Sequence, residues 1–169
     1  MIFEKKETTD DKLQVRCAYR EEWEDAISLA WSTFMKFEAA DYTPRGVKSF
    51  WEFITDPVLQ RMFAMGAYQL FVAIDKGKIV GMISLRNETH ISLLFVDAAY
   101  HKQGIGRALI SYLCRYVDRE EGHHSVTVNA APYALGFYHK LGFEDTGAEE
   151  SNDGIRFTPM KRVWEMGQV

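Results

Sequence analysis

Ile91 to Leu109 reads ISLLFVDAAYHKQGIGRAL, an apolar run, a glycine-punctuated turn and then a new periodicity. Ile91 to Val96 is nearly all apolar and stops at Asp97, the pattern of a short strand buried on both faces. After the turn, Ile105, Ala108, Leu109, Tyr112, Leu113 and Tyr116 recur three and four residues apart, the stripe of an amphipathic helix. The turn is therefore a helix N-terminus, with unpaired backbone N–H groups and the positive end of the helix dipole. Gly104 and Gly106 remove side chains that would hold an anion off, and Lys102 and Arg107 add positive charge. This makes a cradle suited to phosphate. A dinucleotide fingerprint needs a third glycine where Leu109 stands, and a P-loop needs Gly-Lys-Ser/Thr where Gly106-Arg107-Ala108 stands. A plain strand-to-helix turn is the bland alternative.

The segment His101-Lys102-Gln103-Gly104-Ile105-Gly106 resembles the Gln/Arg-x-x-Gly-x-Gly/Ala signature of the GNAT acyl-CoA-dependent N-acyltransferases, with His101 in place of Gln or Arg. A second block, Asn129 to Phe143, is similar to the family segment ending in Tyr-x-x-Leu-Gly-Phe, and Pro159-Met160 is a further family pair. The likeness runs from about Leu70 to Met160. It implies a GNAT-like α/β (α+β) fold, a mixed and mostly antiparallel sheet flanked by helices, with a splayed strand pair holding coenzyme A.

The rest of the chain fits one domain over residues 1–169, with 1–12 as a frayed N-terminus. Its 169 residues are 47% hydrophobic and 14% aromatic, enough for one core. A net charge of −4 gives no general attraction to nucleic acid or anionic membrane, so neither is expected as a partner. Cys17 and Cys114 are far apart and lack metal-ligand spacing, which predicts two buried thiols and no metal site. The N-terminus lacks an apolar signal core and no run reaches membrane length, so a cytoplasmic location is expected.

In order, Leu13, Val15, Cys17 and Tyr19 alternate as a strand, and Trp23 to Phe34 carry a helical stripe starting from about Glu21. Thr43-Pro44 reads as N-cap and N1 of a helix striped by Val47, Phe50, Trp51 and Ile54 and ending near Asp56-Pro57. Helical turns over Val58–Phe63 follow. Strands over Tyr68–Ile74 and Ile79–Leu85 flank the turn Asp75-Lys76-Gly77-Lys78, and Asn87-Glu88 reverses the chain into Ile91–Val96. Gly122 ends the central helix; Ser125–Asn129 is a strand, and Pro132 opens a helix that stops at Gly142. Phe143–Thr146 and Ile155–Arg162 form a last strand pair, its loop turning at Asn152-Asp153-Gly154.

The resemblance implies transfer of an acetyl group from acetyl-CoA to a primary amine by direct attack in a ternary complex. It places the coenzyme on backbone near Leu94, Phe95 and Val96, on His101, Lys102, Gln103, Gly104, Ile105, Gly106, Arg107 and Ala108, and on the Asn129 side chain. Asn129 reads equally as a turn residue before Pro132. Tyr138 matches the family's general acid, a phenol that protonates the leaving sulfur, and Phe137 beside it can fill the packing role. For the base, Glu88 and His90 stand two apart and share a strand face; His90 titrates near neutrality and is the choice over Glu88 or a bound water. Helix-pair connections such as Lys36 to Tyr42 commonly wall GNAT acceptor pockets, so Glu38 and Asp41 either meet a cationic amine or face solvent. The acceptor, a small-molecule amine or a protein lysine or N-terminus, stays open, as does a homodimer. The alternative is an acyl-CoA-binding sensor or structural module without turnover.

Overall fold

The computed structural model of the protein describes residues 13–169; the stretch expected to be frayed, 1–12, lies outside the described residues. One eight-stranded sheet runs through it. Its strands are β1 (Gln14–Cys17), β2 (Gln69–Asp75), β3 (Lys78–Arg86), β4 (His90–Val96), β5 (Ser125–Ala130), β6 (Glu144–Asp145), β7 (Glu150–Asn152) and β8 (Ile155–Val163). The order is β1-β2-β3-β4-β5-β8-β6, with β7 paired to β8, and every pairing is antiparallel except β4 with β5. Helices α1 (Trp23–Phe37), α2 (Pro44–Ile54), α3 (Pro57–Ala64), α4 (Ile105–Tyr116) and α5 (Leu135–Lys140) cover both faces.

The alternation along β2 shows how the two layers are specified. Phe71 and Ala73 point to the side covered by α4, where Ile105, Leu109, Ile110 and Leu113 are buried; Leu70 and Val72 point to the side covered by α1, with Trp23, Ala26, Ala30 and Phe34. Gly81 lets α4 sit close on β3, since a Cβ there would stand 3.0 Å from Ile105 Cγ2 and Leu109 Cδ1. Tyr68 Oη and Ser84 Oγ, at 2.6 Å, form a buried polar pair that satisfies both hydroxyls on the α1 side.

Local signals set the helix ends. Thr43 Oγ1 accepts the Gly46 N–H at 3.1 Å ahead of Pro44. α4 continues into a five-residue π-turn, Val117–Glu121, and ends at left-handed Gly122. Several expectations are corrected. β4 is not buried on both faces: Ile91, Leu93 and Phe95 are buried, while Ser92, Leu94 and Val96 are half-buried beside a cleft. β6 shrinks to two residues, and β7 is an additional polar edge strand that makes the Asn152-Asp153-Gly154 hairpin with β8. Cys114 is buried, as expected, but Cys17 is exposed.

Candidate active site

Two irregularities in β4 open the site. Its register with β3 passes from Leu85↔Ile91 to Ser84↔Leu93, so Ser92 is an extra residue, a bulge. On the other edge, β4 pairs with β5 only at His90↔Thr127 and Ile91↔Val128. Beyond Ile91 the two strands part, and a cleft of about 950 Å³ opens between them. Its walls are β4, the β4–α4 turn, α5, the α1–α2 connection and the tip of the β7–β8 hairpin.

Leu94, Phe95 and Val96 all line this cleft. The Val96 carbonyl is engaged, however: His101 Nε2–H donates to it at 2.8 Å, tying the turn to the end of β4, and the imidazole lies 4.7 Å from the Phe37 ring. Gly104 caps α4 with φ +79, and a Cβ there would meet nothing within 4 Å, so the approach to the first N–H groups of a 12-residue helix is open. Gly106 is glycine for a different reason: a Cβ would stand 2.9 Å from Phe137 Cζ. His101, Lys102, Ile105 and Arg107 also line the cleft, joined by Lys140 from α5, which sequence reasoning had not singled out. Gln103 turns its amide to the Ala99 carbonyl, and neither it nor Ala108 stands on the wall. This cradle, uncrowded and ringed by Lys102, Arg107 and Lys140, fits the phosphates of a coenzyme A.

Asn129 reaches the cleft from the outer end of β5, and Tyr138 from α5. Tyr138 is only 4% exposed, held edge-on between Phe137 at 5.2 Å and Phe143 at 5.1 Å. Burial, and then the charge of Glu38, push its pKa well above the usual phenol range, so it stays protonated at neutral pH.

His90 is not brought to the cleft wall. Its Nδ1 lies 2.8 Å from Thr127 Oγ1, and burial, then nearby Arg86, push its pKa down to about 4. Glu88 does not share its strand face, because it sits in the β3–β4 turn with φ +65 and pairs with His123 at 2.9 Å. The carboxylate that does line the cleft is Glu38, at the C-terminus of α1. Burial, then the charge of Asp41, raise its pKa to about 7. Burial, then Glu38 and Asp41, also raise the pKa of neighbouring Tyr42. Among the described residues no group of three or more His, Cys, Asp or Glu is placed to hold a metal ion, and no helix is long and apolar enough to cross a membrane.

Comparison with known proteins agrees with this geometry. The chain is 38% identical over 77 residues to glucosamine 6-phosphate N-acetyltransferase of Trypanosoma brucei brucei, covering 40% of this chain and 52% of the relative. It is 34% identical over 88 residues to peptidyl-lysine N-acetyltransferase YjaB of Salmonella typhimurium, covering 50% and 56%. The chain thus spans about half the length of the curated relatives it matches. Among solved structures, a GCN5-related N-acetyltransferase from Rhodopseudomonas palustris superposes with a TM-score of 0.77 at 22% identity, over 89% of this chain and 95% of that one. The PaiA N-acetyltransferase of Thermoplasma acidophilum, solved with coenzyme A, gives 0.73 at 17% identity, over 90% and 99%. Both share the fold. Residues 38–164 match the family described as "Acetyltransferase (GNAT) domain", well over half of the sequence, and the chain belongs to the GNAT family.

Proposed function

We propose that the protein is an N-acetyltransferase that moves an acetyl group from acetyl-CoA to a primary amine, by direct attack within a ternary complex. The observation that carries this reading is the placement of a buried, protonated phenol, Tyr138, on the same cleft that begins at the open N-terminus of α4. Acetyl-CoA supplies the activated acyl group as a thioester. The chain does the rest. Amides at the start of α4, with Lys102, Arg107 and Lys140, bind the phosphates. The unpaired edge of β4 beyond Ile91 offers backbone groups to an extended arm laid beside it. Tyr138 holds a proton for the departing sulfur.

A thiol-specific reagent measures the reaction directly, as free coenzyme A released from acetyl-CoA in the presence of amines. Release that depends on the amine supports the transferase. Binding of acetyl-CoA with no release across a broad panel supports a sensor instead, though the sensor reading gives a buried hydroxyl at 138 no task.

A further inference from the structure

The cleft has a second end that the coenzyme-binding turn does not build. α1 ends at Phe37, a short 3-10 turn spans Ala39–Asp41, and α2 begins at Pro44. Aromatic rings from this corner make a wall: Phe34 stacks on Phe50 at 4.0 Å and leans on Tyr42 at 5.3 Å, and Phe50 meets Phe95 of β4 at 5.9 Å. The β7–β8 hairpin closes the other side. Gly154 accepts the Thr43 N–H through its carbonyl at 3.3 Å; Asp153 accepts a hydrogen bond from Ser49 Oγ at 2.9 Å and pairs with Arg45. Gly46 and Gly154 meet backbone to backbone, with no room for a Cβ on either. Ile155 and Phe157 are thereby held over the same space. Within these walls sits one carboxylate, Glu38, with no hydrogen-bond or ion-pair partner among the described residues.

We infer that Glu38 is the group that takes the acceptor's proton, and that the acceptor is a small primary amine with an aromatic or aliphatic body rather than a peptide lysine. This rests on the transferase reading above. Stacked aromatic rings on one side, faced by the β7–β8 hairpin tied to Thr43, Arg45 and Ser49 on the other, favour a compact apolar body over an extended polypeptide. A lone carboxylate between those two sides gains most from an incoming ammonium, and a pKa of about 7 suits it to removing a proton near neutrality. The groups facing it are Asp41 on its own turn, Tyr42 before α2, Tyr138 from α5 and, through Phe37, His101 from the β4–α4 turn; Arg86 of β3 lines the cleft as well.

Glu38 takes one proton from the ammonium, freeing the nitrogen lone pair, which forms the C–N bond to the acetyl carbonyl carbon. The C–S bond breaks with its electron pair on sulfur, which takes the Tyr138 proton. The second proton of the nitrogen returns to the Tyr138 oxygen, and Glu38 releases its own to water. Neutralising Glu38 also removes a negative charge that holds the phenol's proton, so the acid becomes stronger once the base has acted.

Carbon-13 NMR of the side-chain carboxyls in the ligand-free protein tests the first half; the Glu38 signal is the one missing in Glu38→Gln. It should titrate near pH 7, and a midpoint in the ordinary carboxylate range overturns the proposal. Kinetics and calorimetry with phenethylamine, spermidine and a lysine-containing peptide test the second. Phenethylamine should bind and turn over best. Glu38→Gln, matched to the parent in melting temperature, should lose about 10²-fold in kcat/KM at pH 7 together with the acid limb of the pH profile, while acetyl-CoA affinity holds. If Glu38→Gln does not fold, Glu38→Asp should keep the limb at reduced rate. Preference for the peptide or spermidine, or an unchanged limb, overturns this assignment and leaves the transferase standing; no thiol release with any amine overturns both.

Discussion

Gly106 and Phe137 touch across the junction of α4 and α5: a Cβ on Gly106 would stand 2.9 Å from Cζ and 3.1 Å from Cε2 of the ring. Phe137 in turn packs edge-on against Tyr138, so the glycine fixes how deep the phenol sits. Gly106→Ala gains at most about 1 kcal/mol of helix propensity but must push the half-buried Phe137 ring off its seat beside Tyr138, at about 1–3 kcal/mol. The expected result is a net loss of about 1 kcal/mol in urea unfolding, with a larger relative fall in kcat. A variant at least as stable as the parent would mean that α5 yields freely.

At Gly104 the constraint is the backbone. With φ +79 and open space around the missing Cβ, Gly104→Val should cost about 1–2 kcal/mol through conformation alone. It should also abolish the rise in melting temperature that acetyl-CoA gives the parent, because a branched side chain then stands before the helix amides. A retained ligand-induced rise would place the phosphates elsewhere.

Tyr138→Phe keeps the ring between Phe137 and Phe143 and removes only the hydroxyl. Acetyl-CoA affinity and stability should hardly change, while kcat falls about 10²-fold, roughly 2.7 kcal/mol of transition-state stabilisation. Steady-state kinetics beside direct titration measures both. Undiminished kcat, where chemistry limits turnover, would make Tyr138 a packing residue.

His90 predicts a pH dependence of stability rather than of catalysis. Its pKa is 6.5 in an unfolded chain and about 4 in the fold, so between these values the unfolded chain binds the extra proton. Stability should therefore fall as pH drops from 6.5 towards 4. Glu38, whose pKa is raised from 4.5 to about 7, works in the opposite sense: its penalty appears as pH rises through that range. Comparing urea unfolding of His90→Gln with the parent isolates the histidine, and the variant should gain stability relative to the parent as pH drops from 6.5 towards 4. Identical slopes would assign the effect to other groups.

Much of the fold is legible because its signals are local. Thr43-Pro44 starts a helix through one side-chain cap, and Gly122 and Gly142 stop others through a positive φ that neighbouring residues do not affect. The Ser92 bulge left no such mark, because the run from Ile91 to Val96 is apolar at nearly every position and conceals a change of face. β7 is Glu-Ser-Asn, with no apolar residue to announce a strand, and exists because β8 offers it an edge. The site divided the same way. The glycine turn and Tyr138 are written in short motifs, whereas Glu38 becomes a half-buried carboxylate on the cleft wall only when α1, α2 and a hairpin more than a hundred residues later come together around it. His90 read as a reactive histidine for want of knowing that Thr127 stood beside it.

The extra residue in β4 also splits the strand by parity. Before it, the odd position Ile91 belongs to the α4 layer; after it, the odd positions Leu93 and Phe95 belong to the α1 layer, and even-numbered Leu94 and Val96 face α4. Two vocabularies are therefore interleaved in five residues. A change at 93 or 95 rewrites the aromatic wall, a change at 94 or 96 rewrites the opposite wall, and each can drift without the other. Deleting Ser92 would set Ile91 and Leu93 side by side on opposite faces, in the register they already keep with Leu85 and Ser84, so the extra residue distorts the edge of β4 without being needed to sort its neighbours between the two walls.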